Sequence, residues 1–251
     1  MDSNGRSKTM DIIGKQSLFE HIIADLNLSS DAACSILDFG CGTGDFLGLV
    51  SNAGSGSQLL GIDSSGPFIT RASEKHPNIN FVCEKFDGKL NLPDAAFDLI
   101  VTIDVIECIS DKNAMIDEFH RILKPGGTVL AAHWDWDTML YNAESKNIAR
   151  RAVAAFSDWK QPWMDNCDGQ MGRKLRGLFE GSGKFRGKPD SFNLMETSYR
   201  EGTYGFDRMQ DIARLIGKEE HEKLHRELIE KNEKKEYFFS VTSFLYCGEK
   251  I

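Results

Sequence analysis

The sequence lacks the features of membrane-spanning, secreted and zinc-binding proteins. None of its apolar runs approaches the roughly 20 residues that cross a bilayer, and residues 1–10 have no hydrophobic segment typical of a signal peptide. The six cysteines are scattered without a C-x-x-C pair, which argues against a zinc site and favours buried, reduced thiols. We therefore expect a soluble, cytoplasmic protein without a metal ion and without a membrane partner.

The chain also lacks an excess of positive charge. Its formal net charge is −8 and its pI is about 5.3, so the phosphate backbone of a nucleic acid would be repelled by most of the surface. Residues 173–188 contain a local cluster of lysines and arginines, but a solvated helix and loop surface is the better explanation of such a cluster. We expect no nucleic-acid partner.

The pattern of apolar residues predicts an α/β fold. A length of 251 residues suffices for one α/β domain with some additions. Short apolar runs alternate with helical patterns, which is typical of a parallel sheet covered by helices. The predicted strands are residues 35–39, 58–62, 79–83, 97–103 and 128–133, with two later strands near 191–197 and 237–246. We predict a doubly wound, Rossmann-like sheet of seven strands whose last strand is antiparallel.

The segment SILDFGCGTGDF, residues 35–46, carries the strongest local signal. The predicted strand 35–39 contains Asp38 and is followed by glycines at every second position, before a helix that begins near Asp45. Glycine permits a positive φ and a close approach of the backbone to a ligand. The order strand, glycine loop and helix start is that of a nucleotide-type site. The spacing differs from the G-x-G-x-x-G of dinucleotide-binding proteins, which disfavours an NAD-dependent oxidoreductase.

Four segments in order resemble one family. They are DFGCGTG (38–44), LLGIDSS (59–65), LPDAAFDLIVTIDVIECI (92–109) and FHRILKPGGTVL (119–130). Together they resemble the small-molecule, ubiquinone/menaquinone-methyltransferase-like branch of the class I S-adenosylmethionine-dependent methyltransferases, over about residues 30–135. The resemblance implies S-adenosylmethionine as cofactor, S-adenosylhomocysteine as product, and methyl transfer to N, O or C of a small metabolite, such as an aromatic or heterocyclic compound. A methyltransferase-fold module that binds the cofactor without turnover is the alternative.

The resemblance also implies where the cofactor binds. Asp38 would accept from the methionine amine, and Asp63 would take the ribose hydroxyls, although Asp63 could instead cap a helix. Glu84 and Asp87 both qualify for the adenine amino group, and Asp87 is slightly favoured. The full set of predicted cofactor-binding residues is Asp38, Gly40, Cys41, Gly42, Gly44, Asp63, Ser64, Phe86, Asp87 and Ile103.

The segment after the fifth predicted strand is the candidate substrate side. Ligands of open α/β sheets bind outside the carboxyl ends of the strands, and tryptophans there can line an apolar or aromatic pocket. The predicted catalytic residues are His133, Asp135 and Asp104, and the predicted substrate-binding residues are Trp134, Trp136, Asp137 and Trp163. Alternatives stay open for several of these: a strand-end histidine with its bonds satisfied, a helix N-cap for Asp137, and core packing for the aromatic side chains.

Glu107 and Cys108 stand where the family often has Glu-His. A histidine at that place is therefore absent, and Glu107 could simply orient the loop. We predict a single domain in which residues 1–30 form an N-terminal helical segment and residues 31–135 the cofactor-binding core. Residues 136–190 and 200–236 would supply a helical substrate cap, and residues 237–251 the C-terminal strand.

Overall fold

A computed structural model describes residues 11–28, 34–53, 58–160, 164 and 166–251. Its strands are β1 Ser35–Phe39, β2 Gln58–Asp63, β3 Asn80–Cys83, β4 Phe97–Ile103, β5 Leu123–Tyr141, β6 Phe185–Glu196 and β7 Phe239–Lys250. Its helices are α1 Asp11–Asp25, α2 Asp45–Asn52, α3 Gly66–Lys75, α4 Lys112–Ile122, α5 Lys146–Ser157, α6 Met171–Gly181, α7 Tyr204–Ile212 and α8 Lys218–Glu233. A 3-10 turn, Ile106–Cys108, follows β4.

The strands form one seven-stranded sheet in the order β3-β2-β1-β4-β5-β7-β6. Strands β1 to β5 are parallel to one another, and β7 is antiparallel to both β5 and β6. The predicted Rossmann-like sheet with its last strand antiparallel is confirmed. Because the first five strands are parallel, their carboxyl ends meet at one edge, where the glycine loop also lies.

The elements around the glycine loop begin and end where the sequence predicts. β1 and β4 have the predicted bounds, and α2 begins at Asp45 as predicted. Five of the seven residues of β4 are buried, as expected of a central parallel strand covered on both faces. α4 begins after Asp111, whose side chain accepts a hydrogen bond of 2.8 Å from the N–H of Ala114, a typical helix N-cap.

β5 is longer than predicted and changes the bounds of the expected cap. Pairing with β7 extends β5 through residues 134–141, with a register shift between Asp135 and Leu140. β6 in turn begins at Phe185. Both ends of the segment 136–190 therefore belong to the sheet, because the partner strand β7 comes from a distant part of the sequence. The helical part of this segment is α5 and α6.

Two apolar clusters cover the two faces of the sheet. One contains residues of α1, α2, α5, α7 and α8, and the other contains residues of α4 and α6. In α8, Leu224 and Leu228 are fully buried, whereas Ile229 is 40% exposed; its position on the helix points it away from the apolar stripe. None of the helices in the described ranges is long and apolar enough to cross a membrane.

Candidate active site

The glycine loop after β1 uses its three glycines for different reasons. Gly40, Gly42 and Gly44 all have positive φ values, of 82°, 53° and 76°. A Cβ on Gly40 would lie 2.1 Å from Val105, and one on Gly44 would lie 2.6 Å from Phe81. A Cβ on Gly42 would meet no described atom within 4 Å. Packing thus requires glycine at two positions, while Gly42 faces open space into which a ligand can come against the backbone.

A cleft of about 760 Å³ opens beside this loop. The loop forms one wall, α2 and α3 form another, and α1 lies across them. The residues that line it on the loop and sheet side are Asp38, Gly40, Cys41, Gly42, Thr43 and Ile103. Those on the helices include Lys15, Gln16, Phe19, Phe46, Phe68, Arg71 and Lys75. The structure therefore brings five of the ten predicted cofactor residues to one cavity, namely Asp38, Gly40, Cys41, Gly42 and Ile103.

Asp38 is the most perturbed acid of the cleft. Its side chain is nearly fully buried, and burial, together with the negative charges of Asp63 and Asp45, raises its pKa to about 8. Within the described part of the chain, no hydrogen bond to its carboxylate offsets this effect. A buried acid beside an open cleft is suited to an ammonium group, which would favour the ionised carboxylate. The methionine amine of S-adenosylmethionine is such a group, so these residues fit the cofactor.

Asp63 ties the end of β2 to the glycine loop. Its Oδ2 accepts a hydrogen bond of 2.9 Å from the N–H of Gly42, and its Oδ1 accepts one of 2.8 Å from the N–H of Ser65, the residue before α3. This geometry is compatible with both roles expected of Asp63, support of a helix start and binding of the ribose hydroxyls, because each carboxylate oxygen can accept a second hydrogen bond from a ligand. Ser64, between them in the chain, is exposed.

The loop after β3 holds the two candidates for the adenine end. Glu84 Oε1 accepts a hydrogen bond of 2.8 Å from the N–H of Asn91, which closes this loop on itself. Asp87 is exposed, and Phe86 packs edge-on against Phe39, with 5.9 Å between the ring centroids. The carboxylate of Glu84 thus has a local partner, and that of Asp87 faces solvent. The choice between the two acids stays a prediction.

His133, a predicted catalytic residue, is fully buried between two carboxylates. Its Nδ1 lies 2.8 Å from the carbonyl oxygen of Trp134 and 3.8 Å from Asp104 Oδ1, and its Nε2 lies 3.7 Å from Glu107 Oε1. Asp104 has a left-handed backbone, with φ of 59°. Its Oδ1 accepts a hydrogen bond of 3.2 Å from the N–H of Trp134. The structure therefore brings His133 and Asp104 together and adds Glu107 to them.

Asp135 and Asp137 bind α6 to the sheet. Asp135 is fully buried and accepts two hydrogen bonds from the guanidinium of Arg173, one of them 2.5 Å from Nε. Asp137 accepts a hydrogen bond of 2.6 Å from Gln170 and lies 3.6 Å from Arg173. These contacts give Asp135 a structural role in place of access to the cleft. They also show that Asp137 is a strand residue bonded to the start of α6, and not the N-cap of a helix.

Trp134 and Trp136 lie in β5 beyond the part that pairs with β4, and both belong to an aromatic cluster. Trp134 is fully buried and packs against Tyr204, with 5.4 Å between centroids, and against Trp136 at 6.3 Å. Trp136 is half-buried and contacts Phe156 at 5.2 Å. Core packing, which the sequence left open for the aromatic side chains, explains Trp134, whereas Trp136 is only half-buried. Trp163 lies outside the described residues.

Two features of the site were not predicted. The first is the contribution of α1, whose Lys15, Gln16 and Phe19 line the cleft; the amphipathic pattern marked a helix there but could not show what it covers. The second is the pairing of the basic residues in 173–188. Lys174 lies 2.6 Å from Asp168, Arg176 lies 3.0 Å from Glu180, and Lys184 pairs with Asp117. Together with Arg173, which Asp135 binds, four of the cluster's cations therefore have acidic partners.

The comparisons with known proteins agree with this geometry. Residues 37–131 match a family model described as a methyltransferase domain. The chain contains a methyltransferase domain. The matched residues run from β1 to the middle of β5, so this domain is the half of the sheet that carries the glycine loop, Asp63 and Asp104.

Relatives of the methyltransferase domain are known among curated proteins and solved structures. The chain is 26% identical to malonyl-[acyl-carrier protein] O-methyltransferase 2 of Ilyobacter polytropus, over 74% of this chain and 82% of that protein. It is 33% identical to the demethylmenaquinone methyltransferase of Chlorobaculum tepidum, over 40% of each chain. The YcgJ protein of Bacillus subtilis has the same fold, with a TM-score of 0.57 and 18% identity over 92% of this chain and 98% of that one. The chain spans about half or less of the length of most curated relatives that it matches.

Proposed function

We propose that this protein is an S-adenosylmethionine-dependent methyltransferase that acts on N, O or C of a small metabolite in the cytoplasm. The observation that carries the proposal is the cleft that the open face of Gly42 and the buried acid Asp38, whose pKa is raised, line together. The open face of Gly42 leaves room for a ligand against the backbone, and the buried carboxyl group of Asp38 favours a cation beside it. S-adenosylmethionine offers both, and the matched methyltransferase domain supports the choice.

When bound, S-adenosylmethionine supplies a methyl group on a positively charged sulfur, so that the acceptor atom bonds the carbon with its own electron pair and the sulfur retains the pair of the broken bond. The task of the protein is then to hold two reactants in line and to exclude water. Asp38 would hold the amine and Asp63 the ribose diol. The glycine loop would hold the backbone side of the cofactor, and α1 would cover it.

The acceptor would lie at the ends of β4 and β5, on the side of the aromatic cluster and the cap helices. Ile103 lines the cleft there, and Asp104 follows it in the chain. Trp136 is a predicted substrate-binding tryptophan that stays half-buried. A small acceptor with an aromatic or apolar body suits such a wall. Trp163 and Asp137 stay predictions for substrate binding.

Calorimetry with S-adenosylhomocysteine tests the cofactor site. We expect binding by the unaltered protein and weaker binding by Asp63→Ala, because that variant loses both the ribose acceptor and the support of the glycine loop. Asp190→Ala, in an exposed acid of β6, is the control and should bind like the unaltered protein. Unchanged affinity in Asp63→Ala would contradict the assignment of the site.

Transfer of labelled methyl from S-adenosylmethionine to a panel of acceptors tests the reaction. The panel should contain aromatic and amine metabolites, together with a carboxylic acid and a quinol, the last two suggested by the names of the relatives. Methylated product from a member of the panel would support the proposal. Binding of S-adenosylhomocysteine without transfer to any member would favour a module without turnover, and binding of NAD in its place would favour an oxidoreductase.

A further inference from the structure

The loop after β3, residues 84–91 and called the β3 loop, carries both acids predicted to bind adenine, and its two ends are hydrogen-bonded. The N–H of Glu84 donates a hydrogen bond of 3.0 Å to the carbonyl oxygen of Asp63, the residue whose side chain also binds the glycine loop. At the other end, the N–H of Asn91 donates one of 2.8 Å to Oε1 of Glu84. The β3 loop therefore starts beside the predicted ribose acid and closes on itself.

A buried acid of α4, Glu118, binds the end of the β3 loop. Glu118 is 4% exposed, and its Oε1 accepts a hydrogen bond of 2.7 Å from the N–H of Leu90, which is itself buried. A buried carboxylate is costly unless its oxygens are paired. Burial tends to raise the pKa of this carboxyl group, but the hydrogen bonds from Arg121 and Leu90 outweigh burial and hold the pKa below its usual value. Glu118 is therefore an ionised acceptor fixed against the loop.

Arg121, one helical turn further along α4, joins Glu118 to the chain that follows the β3 loop. Its Nε and Nη2 donate hydrogen bonds of 2.8 and 2.6 Å to the two carboxylate oxygens of Glu118. Its Nη1 donates to the carbonyl oxygen of Leu92 at 2.9 Å and to Asp94 at 2.5 Å, and its Nη2 lies 3.3 Å from the carbonyl oxygen of Leu90. The single ammonium group of a lysine could not make this set of bonds, which depends on the planar fork of a guanidinium.

The middle of the β3 loop is also held in place. Phe86 packs edge-on against Phe39, with 5.9 Å between the ring centroids, and Phe39 packs in the same way against Phe119 of α4 at 5.1 Å. Gly88 has a φ of 111°, a conformation that glycine adopts without strain. Asp87 lies between Phe86 and Gly88, so this exposed acid stands on a backbone fixed on both sides. An acceptor fixed before binding recognises a ligand group at a lower entropic cost.

We propose that Glu118 and Arg121 are positioning residues that set the selectivity of the donor site for adenine, because they hold the β3 loop in the shape in which Glu84 or Asp87 meets the amino group of the base. The inference rests on the proposed function and concerns the same site. Neither Glu118 nor Arg121 touches the cofactor. The amino group of adenine donates to a carboxylate, whereas hypoxanthine has an oxygen at that position, which a carboxylate repels. A correctly placed loop acid therefore prefers adenine to hypoxanthine.

Amide hydrogen exchange of the full chain, followed by nuclear magnetic resonance without a ligand, tests whether α4 holds the loop. The amides of Leu90 and Asn91 should exchange slowly in the unaltered protein, because both are hydrogen-bonded. In Arg121→Lys they should exchange about tenfold faster or more, while amides in the centre of β4 keep their rates. Asp117→Asn is the matched control, since Asp117 is an exposed acid of the same helix and pairs with a lysine outside the loop; it should leave the loop amides unchanged.

Calorimetry with S-adenosylhomocysteine and its hypoxanthine analogue, S-inosylhomocysteine, tests the selectivity. The unaltered protein should bind the adenine compound about tenfold more tightly or better, as expected for one hydrogen bond to a charged group. Arg121→Lys should reduce this ratio by about 2- to 10-fold, because its loop has to be ordered on binding. Asp63→Ala should weaken both ligands and keep the ratio, since both share the ribose. Asp117→Asn should change neither affinity. A general loss of stability would not alter the ratio.

The outcomes separate this inference from the proposed function. A folded Arg121→Lys that keeps the ratio of the two affinities, or the exchange rates of the loop amides, would overturn the inference. An unaltered protein that binds both compounds equally would overturn it as well, although the cofactor site would stand. If Arg121→Lys does not fold, Glu118→Gln takes its place in both measurements, because it keeps the shape of the side chain and removes its charge. Absence of S-adenosylhomocysteine binding in the unaltered protein would instead overturn the proposed function.

Discussion

Replacing Gly42 by alanine should separate the stability of the glycine loop from its binding function. Gly42 has a φ of 53°, and its added Cβ would meet no described atom within 4 Å. The loss of stability is then only the strain of a left-handed alanine, about 1–2 kcal/mol. For a chain of this size that corresponds to a fall in Tm of about 2–8 °C. The added methyl group would nevertheless stand where we place the cofactor.

Gly183 provides a matched control for the strain. It has a φ of 70° and likewise open space around its added Cβ, but it lies in the turn between α6 and β6, away from the cleft. Gly42→Ala and Gly183→Ala should therefore lose similar stability. Overpacking by one methyl group typically costs about 1–3 kcal/mol, so the affinity of Gly42→Ala for S-adenosylhomocysteine should fall about 5- to 150-fold. That of Gly183→Ala should not change.

Thermal unfolding and calorimetry on the two variants give the answer. The reasoning would be refuted if Gly42→Ala bound S-adenosylhomocysteine as tightly as Gly183→Ala does, since the open face of Gly42 would then not be occupied. A third variant, Gly40→Ala, should differ from both. Its Cβ would overlap with Val105, so it should unfold at a lower temperature than either and lose binding through disorder of the loop.

Two further predictions concern charge. In denaturant unfolding, Arg173→Met should lower the free energy of unfolding by about 2–3 kcal/mol, which is less than for a fully buried pair because the arginine is partly exposed. Arg176→Met is the control, since Arg176 forms an exposed pair with Glu180 on the same helix. It should change the free energy of unfolding by less than about 0.5 kcal/mol. The pKa of Asp38 lies above its value in an unfolded chain, so its contribution to stability is full below about pH 4 and is lost as the pH rises through about 8. The free energy of unfolding of the unaltered protein should therefore fall over that pH range relative to that of Asp38→Asn. Below pH 8, binding of S-adenosylhomocysteine should release a proton. An equal pH dependence of stability in the two proteins would contradict the raised pKa of Asp38.

The sequence predicted those parts that local patterns determine. β1, α2 and β4 are marked by short apolar runs, a glycine loop and a helix start, and these signals are complete within a few neighbouring residues. Gly40 and Gly44 illustrate the limit. Their spacing predicted positive φ values, but the contacts with Val105 and Phe81, which exclude any larger side chain, come from the loop after β4 and from β3 and appear only in the folded chain.

The substrate side was harder to predict because its residues are defined by distant partners. Asp135 looks like a free acid in the sequence, and only α6 shows that its charge is neutralised by Arg173. His133 likewise appears after a strand as a candidate base, whereas the structure buries it between Asp104 and Glu107. The end of β5 was predicted too early, since its last residues become a strand only through pairing with β7.

The place of β7 in the sheet has a consequence for the order of folding. β6 is hydrogen-bonded to β7, and β7 to β5, so β6 joins the sheet only once the strand made from residues 239–250 is in position. Pairs such as His133 and Phe244 are far apart in the sequence, and contacts of this kind form slowly. During synthesis, β1 to β4 can assemble around the glycine loop while one edge of β5 stays open. A chain shortened before β7 would keep the predicted cofactor residues but expose that edge, and we expect it to aggregate.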